Sequence, residues 1–410
     1  MPNSPASASS TRPGIARTDS RPVIAGIVTA LVGFTSSFAV VLAGLTAVGA
    51  NPAQAASGLL AVTLTVGLGV LFLAWRSRVP VTLAWSTPGA ALLAASGVPD
   101  GGWPAAVGGF LGAGLLLALT GLVPALGRLM ARIPPSLAQA MLAGVLLQLC
   151  LAPFKALGSV PLFVAPVILC WLLMMKFAPR WAVPAALLVA LGVIGVSLAS
   201  AGTPVEAGAL VPALAWTVPS FSLQAMAGIA VPLFVVTMAS QNIPGVAVLR
   251  SFGYETPWRP AMLVTGAGTL AGAPFGGHAI NLAALSAALA AGEEAGADRG
   301  RRWIAGFTSG IAYLVLAAFS AALVSVVSKA PAGMLEAVAG LALLGTLASA
   351  VSAALADADD RIAPAVTFLM AASGLVFAGI GSAFWALLAG LVVRMVLQPR
   401  PGVRAGRKSG

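Results

Sequence analysis

The sequence predicts an all-α polytopic membrane protein of fourteen transmembrane segments. They form two inverted seven-span repeats, with short extended leads before half-helices 3 and 10. Three observations carry this. The 410 residues are 59% hydrophobic and 8% charged, whereas a soluble domain carries about 25% charged residues, so the chain cannot solvate a surface of its size. Its basic residues fall in short stretches between apolar runs of membrane length. Two polar segments, Ser240-Gln241-Asn242-Ile243-Pro244-Gly245 and Ala273-Pro274-Phe275-Gly276-Gly277-His278-Ala279-Ile280-Asn281, interrupt such runs with Pro and Gly. Irregular polar backbone at membrane depth is tolerated only where protein buries it or a watery cavity is lined by it. In secondary transporters such broken segments form the substrate site, so a solute carrier is the first expectation.

In chain order, residues 1–21 are rich in Ser, Pro, Ala and Arg and read as a disordered cytoplasmic tail. The apolar run Val23–Val48 is about twice the 7–15 residues of a signal-peptide core and reads as the first span. The first repeat, 22–201, holds spans near 22–48, 54–74, 79–96, 103–122, 135–150, 159–177 and 181–201. A periplasmic linker, 202–219, follows. The second repeat, 220–398, holds spans near 220–241, 257–272, 276–291, 302–328, 332–355, 361–380 and 382–398, and a basic cytoplasmic tail covers 399–410. With the N-terminus in the cytoplasm, alternation leaves only Lys155 and Lys329 of the 22 Lys and Arg outside, as the positive-inside rule requires. Seven spans per half force the second half to be inverted relative to the first. The third span of each half opens with an extended, Pro/Gly-interrupted lead: Val81–Gly89 in one, Gly272–His278 in the other.

The net charge of +11 is scattered over loops and tails and forms no patch, so nucleic acid is excluded as a partner. Cys150 and Cys170 lie in apolar segments without metal-ligand or disulfide spacing and read as small core hydrophobes. No convergent nucleophile, metal set or cofactor motif points to an enzyme, a metal or a cofactor. The partners expected are a small solute, protons and the lipid bilayer, with room for a homodimer.

The two leads are expected to meet near the membrane midplane, each feeding a half-helix whose N-terminus points inward. Such an end carries about +0.5 elementary charge and several unpaired N–H groups, which together can hold an anion without Lys or Arg. Ser86 and Thr87 suit either helix capping or ligand donation. Gly89, Gly276 and Gly277 allow close backbone approach or serve tight turns. Gln241 and Asn242, at the end of span 8, suit a carboxylate or an interhelical hydrogen bond. Asn281, read as one turn into span 10, faces either the site or a neighbouring helix. His278 is the only histidine, and histidine titrates near neutral pH, so it is the first candidate for a coupled proton. Glu336, near the outer end of span 12, is the second. Phe34, Phe38 and Phe275 are candidate apolar walls.

At these residues the chain resembles a known family. Ala239–Leu249, Gly253-Tyr254 and Ala273–Ala284, together with Ala84-Trp85-Ser86-Thr87-Pro88-Gly89-Ala90, look like the benzoate/proton symporters of bacterial inner membranes, within the larger group of the uracil/proton symporter fold. The resemblance covers about 22–398. It implies fourteen spans in two inverted sevens, with spans 1–4 and 8–11 as a core domain and spans 5–7 and 12–14 as a gate domain. It also implies a proton-coupled importer of benzoate or a related aromatic carboxylate, working by alternating access in the inner membrane. Nucleobase carriers of the group typically place glutamates where Gln241 and Gly277 stand here. That departure favours an anionic substrate over a nucleobase. A nucleobase symporter remains the alternative, with a passive anion channel behind it.

Overall fold

The computed structural model describes residues 19–397 except 131, 201, 203–209, 359 and 379. Most of the two tails and part of the 202–219 linker therefore lie outside the described residues.

The chain is mostly helical, as a bilayer demands of backbone that must satisfy itself. The first half contains α1 (Arg21–Thr35), α2 (Phe38–Ala47), α3 (Pro52–Ser77), β1 (Leu83–Trp85), α4 (Thr87–Ser96), α5 (Gly102–Leu122), α6 (Pro124–Met130), α7 (Pro135–Ser159), α8 (Pro161–Phe177) and α9 (Ala182–Ser200). In the second half, one continuous helix, α10, spans Leu223–Ser251. It is followed by α11 (Trp258–Gly272), β2 (Ile280–Leu282), α12 (Leu285–Ala291), α13 (Trp303–Ala317), α14 (Ser320–Val327), α15 (Met334–Ala354), α16 (Ile362–Ala372) and α17 (Ser382–Leu397). Among the described residues seven helices are long and apolar enough to cross a membrane, or eight if the bent pair ending in α13 and α14 is one span.

Local chemistry sets the breaks. The first span divides at Ser36-Ser37, where the Oγ atoms of both serines donate back to Gly33 O at 3.2 and 2.9 Å and compete with the helix ladder. α3 starts on a capping box in which Asn51 and Gln54 exchange side-chain and backbone bonds at 2.9 Å each. α4 starts on Ser86, whose Oγ accepts the Gly89 N–H at 3.1 Å.

Several expectations are corrected. Pro244 does not end the eighth span. α10 runs on to Ser251, because π turns at Met226–Ala230 and Met238–Asn242 widen it and shift the Ile243 N–H to Met238 O just before the proline. The fifth span reaches Ser159 rather than 150, and the helix of the thirteenth stops at Ala372. The helix of the tenth begins at Leu285, not 276. Asn281 is therefore a strand residue, and His278 precedes the strand.

The helices pack in two groups. In one, α3 and α1 lie along α13, α11 lies along α5, and α2 lies against α4. In the other, α15 and α16 pack on α7, α16 on α17, and α8 on α9. The groups meet where α2 touches α15 and α4 touches α7.

Candidate functional site

The two extended leads meet. β1 and β2 pair antiparallel, with Leu83 opposite Leu282, Ala84 opposite Asn281 and Trp85 opposite Ile280. Bonds from Ser86 N to Ala279 O (2.8 Å) and from Ala283 N to Thr82 O (2.9 Å) extend the pairing. An open sheet edge inside a membrane protein needs partners for its backbone groups, and side chains provide them. Ile280 N donates to Thr269 Oγ1 at 3.1 Å, and Leu282 N donates to Asn242 Oδ1 at 2.8 Å. The Asn242 Nδ2 points at Met238 Sδ, 3.3 Å away. The fully buried Asn242 amide thus holds the sheet edge to α10.

Ser86 is the junction of this assembly. Its amide belongs to the strand pairing and its Oγ caps α4. Thr237 Oγ1, from α10, donates to that Oγ at 2.7 Å. His278 Nε2 lies 3.2 Å from Ser86 O. A carbonyl only accepts, so Nε2 carries the proton there. His278 Nδ1 is buried without a partner among the described residues, and so is Asn281 Oδ1. The other end of the Asn281 amide donates to Leu282 O at 2.8 Å. A side chain on Gly89 would run into Leu233 and Ser86 Oγ, so glycine lets α4 and α10 approach directly.

An aromatic cluster adjoins β1. Phe34 and Phe38 stack with centroids 6.0 Å apart, Phe34 meets Trp85 edge-on at 5.4 Å, and Trp85 meets Tyr313 at 6.1 Å. All four rings are buried. Trp85 Nε1 donates to Ser37 Oγ at 2.8 Å, so the break in the first span also satisfies the indole.

The remaining candidates sit differently. Gln241 is half-buried in the second π turn. Thr87 is the first residue of α4. Phe275 packs edge-on against Trp216, and its carbonyl accepts from Ser57 Oγ at 2.7 Å, so its partners differ from those of Ser86. Gly276 has φ +87°, and a Cβ there would meet Trp103; it serves a tight turn. Gly277 N donates to Gly272 O at 2.9 Å and completes that turn. The tenth-span lead therefore does not feed its half-helix directly: β2 stands between His278 and α12. Glu336 is exposed in the first turn of α15 and lines a pocket of about 310 Å³ with Leu42, Thr46 and Leu335. Asp360 pairs with Arg394 at 3.2 Å.

Four residues of the cluster were absent from the sequence-based set: Ser37, Trp85, Thr237 and Tyr313. Trp85 stands in the Ala84–Ala90 motif that carries the resemblance, and Thr237 is a polar residue four before Gln241 in an apolar run, hence on the same helix face.

The transmembrane domain of a cyanobacterial bicarbonate transporter, BicA, superposes with a TM-score of 0.59 at 19% identity, over 90% of this chain and 97% of that one. SLC26A9 superposes with a TM-score of 0.60 at 15% identity, over 92% of this chain and 66% of that one. At these identities the likeness is one of fold. The inner membrane protein YdcO of Escherichia coli (strain K12) is 38% identical over 375 residues, 92% of this chain and 95% of that protein. The benzoate membrane transport protein of Acinetobacter baylyi (strain ATCC 33305 / BD413 / ADP1) is 30% identical over 374 residues, 91% of this chain and 94% of that protein. Residues 16–396 match the family described as benzoate membrane transport protein. With an apolar helical body, a family match across nearly its whole length and two full-length relatives, this chain belongs to the benzoate membrane transport protein family.

Proposed function

We propose that the chain imports benzoate or a related aromatic carboxylate together with a proton, by alternating access. One observation carries the reading: the capped N-terminus of α4 and the single histidine meet at Ser86, both buried, beside a wall of aromatic rings. The positive end of α4, which starts at Ser86, Thr87 and Gly89, favours a carboxylate, and Phe34 and Phe38 supply apolar surface near it. The Gln241 amide adds a donor. His278 takes the coupled proton on Nδ1, the nitrogen that Ser86 O leaves unprotonated, and the resulting N–H faces an anion that stabilises it. Anion and proton then favour each other's binding, which symport requires. Neither Gln241 nor Gly277 offers the negative charge that would grip a nucleobase.

The reading keeps a fourteen-span inverted repeat as the frame of the transport cycle. In its support, packing contacts recur when the halves are exchanged: α5 on α11 answers α13 on α3. The strand pair is antiparallel, as an inverted repeat requires. The group of α1–α5 and α10–α14 serves as core, and that of α7–α9 and α15–α17 as gate. The pocket beside Glu336 shares Val327 and Leu335 with a narrow slit that reaches Phe38, along the seam between the groups. We read that seam as the outer access path and Glu336 as an acid at its mouth. The distribution of Lys and Arg supports a cytoplasmic placement of both termini.

The test is uptake of labelled benzoate into proteoliposomes holding the full chain. An inward proton gradient should drive accumulation above equilibrium, and uptake should saturate. Uptake that is linear in benzoate and indifferent to the gradient would identify a channel. Equal competition by uracil would move the substrate to the nucleobases.

A further inference from the structure

The hydroxyl pair that joins the two halves of the chain holds one proton more than it can place. Thr237 Oγ1 donates to Ser86 Oγ, and Ser86 Oγ also accepts the Gly89 N–H. A hydroxyl has one proton and two lone pairs, so both lone pairs of Ser86 are taken and its own proton has no acceptor among the described residues. Reversing the bond does not help. Ser86 would then donate to Thr237, and the Thr237 proton would be left over. Both residues are 0% exposed, so water does not supply the missing acceptor at the surface. Buried donors in native proteins normally have partners, and the strongest partner for a spare O–H is an ionised oxygen.

A second, independent observation marks the same place as a ligand site. The His278 ring is held against Ser86 O, it is 1% exposed, and its Nδ1 is unpartnered. A group bringing an anionic oxygen and a proton would satisfy both the spare hydroxyl and the spare nitrogen. The contact is also tightly set. Leu233, one turn before Thr237, fills the space over Gly89, so the helix bearing Thr237 sits directly on the α4 end.

We propose that Thr237 is a positioning residue for the substrate carboxylate. Its donation to Ser86 Oγ, together with that of Gly89, leaves the Ser86 proton one direction to point, away from both, toward the ligand. The two incoming bonds also polarise Ser86 and strengthen the bond it gives. This rests on the reading of the Ser86 end of α4 as the carboxylate site, and adds to it a residue of the second half that decides how well an anion is held.

The experiment compares wild type, Thr237→Val, Thr237→Ser and Thr237→Ala by benzoate binding, by uptake kinetics in proteoliposomes and by melting of the unliganded protein. Valine keeps the shape and removes the hydroxyl. Thr237→Val should weaken benzoate by up to about tenfold, the effect of the neutral hydrogen bond that aims the Ser86 proton, through KM rather than kcat. Thr237→Ser should bind within about threefold of wild type, since the donor survives. If Thr237→Val does not fold, Thr237→Ala carries the comparison. Wild-type affinity in Thr237→Val, or equal loss in Thr237→Ser, would overturn the proposal, because the side chain would then act through packing or not at all. Failure of wild type itself to bind benzoate would instead overturn the carboxylate reading of the site.

Discussion

Replacing His278 with glutamine separates binding from coupling. In the native chain Nε2–H donates to Ser86 O at 3.2 Å and Nδ1 is free. Glutamine can place an amide N–H near the same carbonyl but cannot take up a proton. The first consequence is small: one altered hydrogen bond is worth about 0.5–1.5 kcal/mol, so benzoate affinity should fall by no more than about tenfold. The second is large. If one proton binds with each benzoate to a histidine that is neutral when unliganded, the wild-type dissociation constant rises about tenfold per unit rise in pH, or 1.36 kcal/mol. In His278→Gln that slope should vanish. An inward gradient of one pH unit, which supports about tenfold accumulation for one proton per substrate, should then support none. Benzoate binding measured across several pH values, beside proteoliposome uptake with and without the gradient, reads both quantities. Unchanged gradient-driven accumulation in His278→Gln would refute the reasoning and pass the proton to Glu336 or to the substrate's own carboxyl group.

Further outcomes are expected. Asn242→Ala should destabilise the protein by about 1–3 kcal/mol, because it orphans the buried Leu282 N–H at the strand edge; thermal melting reads this, and an unchanged midpoint would remove Asn242 from the sheet edge. Trp85→Phe should lower stability by about 1–2 kcal/mol through the lost indole bond to Ser37 Oγ, and melting again decides. Glu336→Gln, at an exposed position, should leave stability within about 0.5 kcal/mol and preserve gradient-driven uptake; loss of uptake would make Glu336 part of the proton path. Benzoate should compete with labelled benzoate far better than benzamide does, because a helix N-terminus favours the charged ligand; equal competition would argue against anion binding there.

The sequence by itself determined the class of this protein and most of its long elements. Its 59% hydrophobic content leaves a bilayer as the surrounding medium, and apolar run length together with the placement of Lys and Arg bounded the helices, because both respond to the membrane rather than to neighbouring residues. The Pro/Gly-rich leads were legible for the same reason: unpaired backbone at membrane depth signals itself locally. What the leads do was not legible. Strand pairing of residues about 200 apart is a long-range contact, and only that contact turned Asn281 from a helix residue into a strand residue. Pro244 misled because a π turn absorbs a proline that local rules read as a break. Tertiary structure alone set Thr237 against Ser86, His278 on the Ser86 carbonyl and Trp85 over Ser37. Hydrogen bonds between distant segments leave no periodicity in a chain, and their geometry exists only once the two halves have folded together.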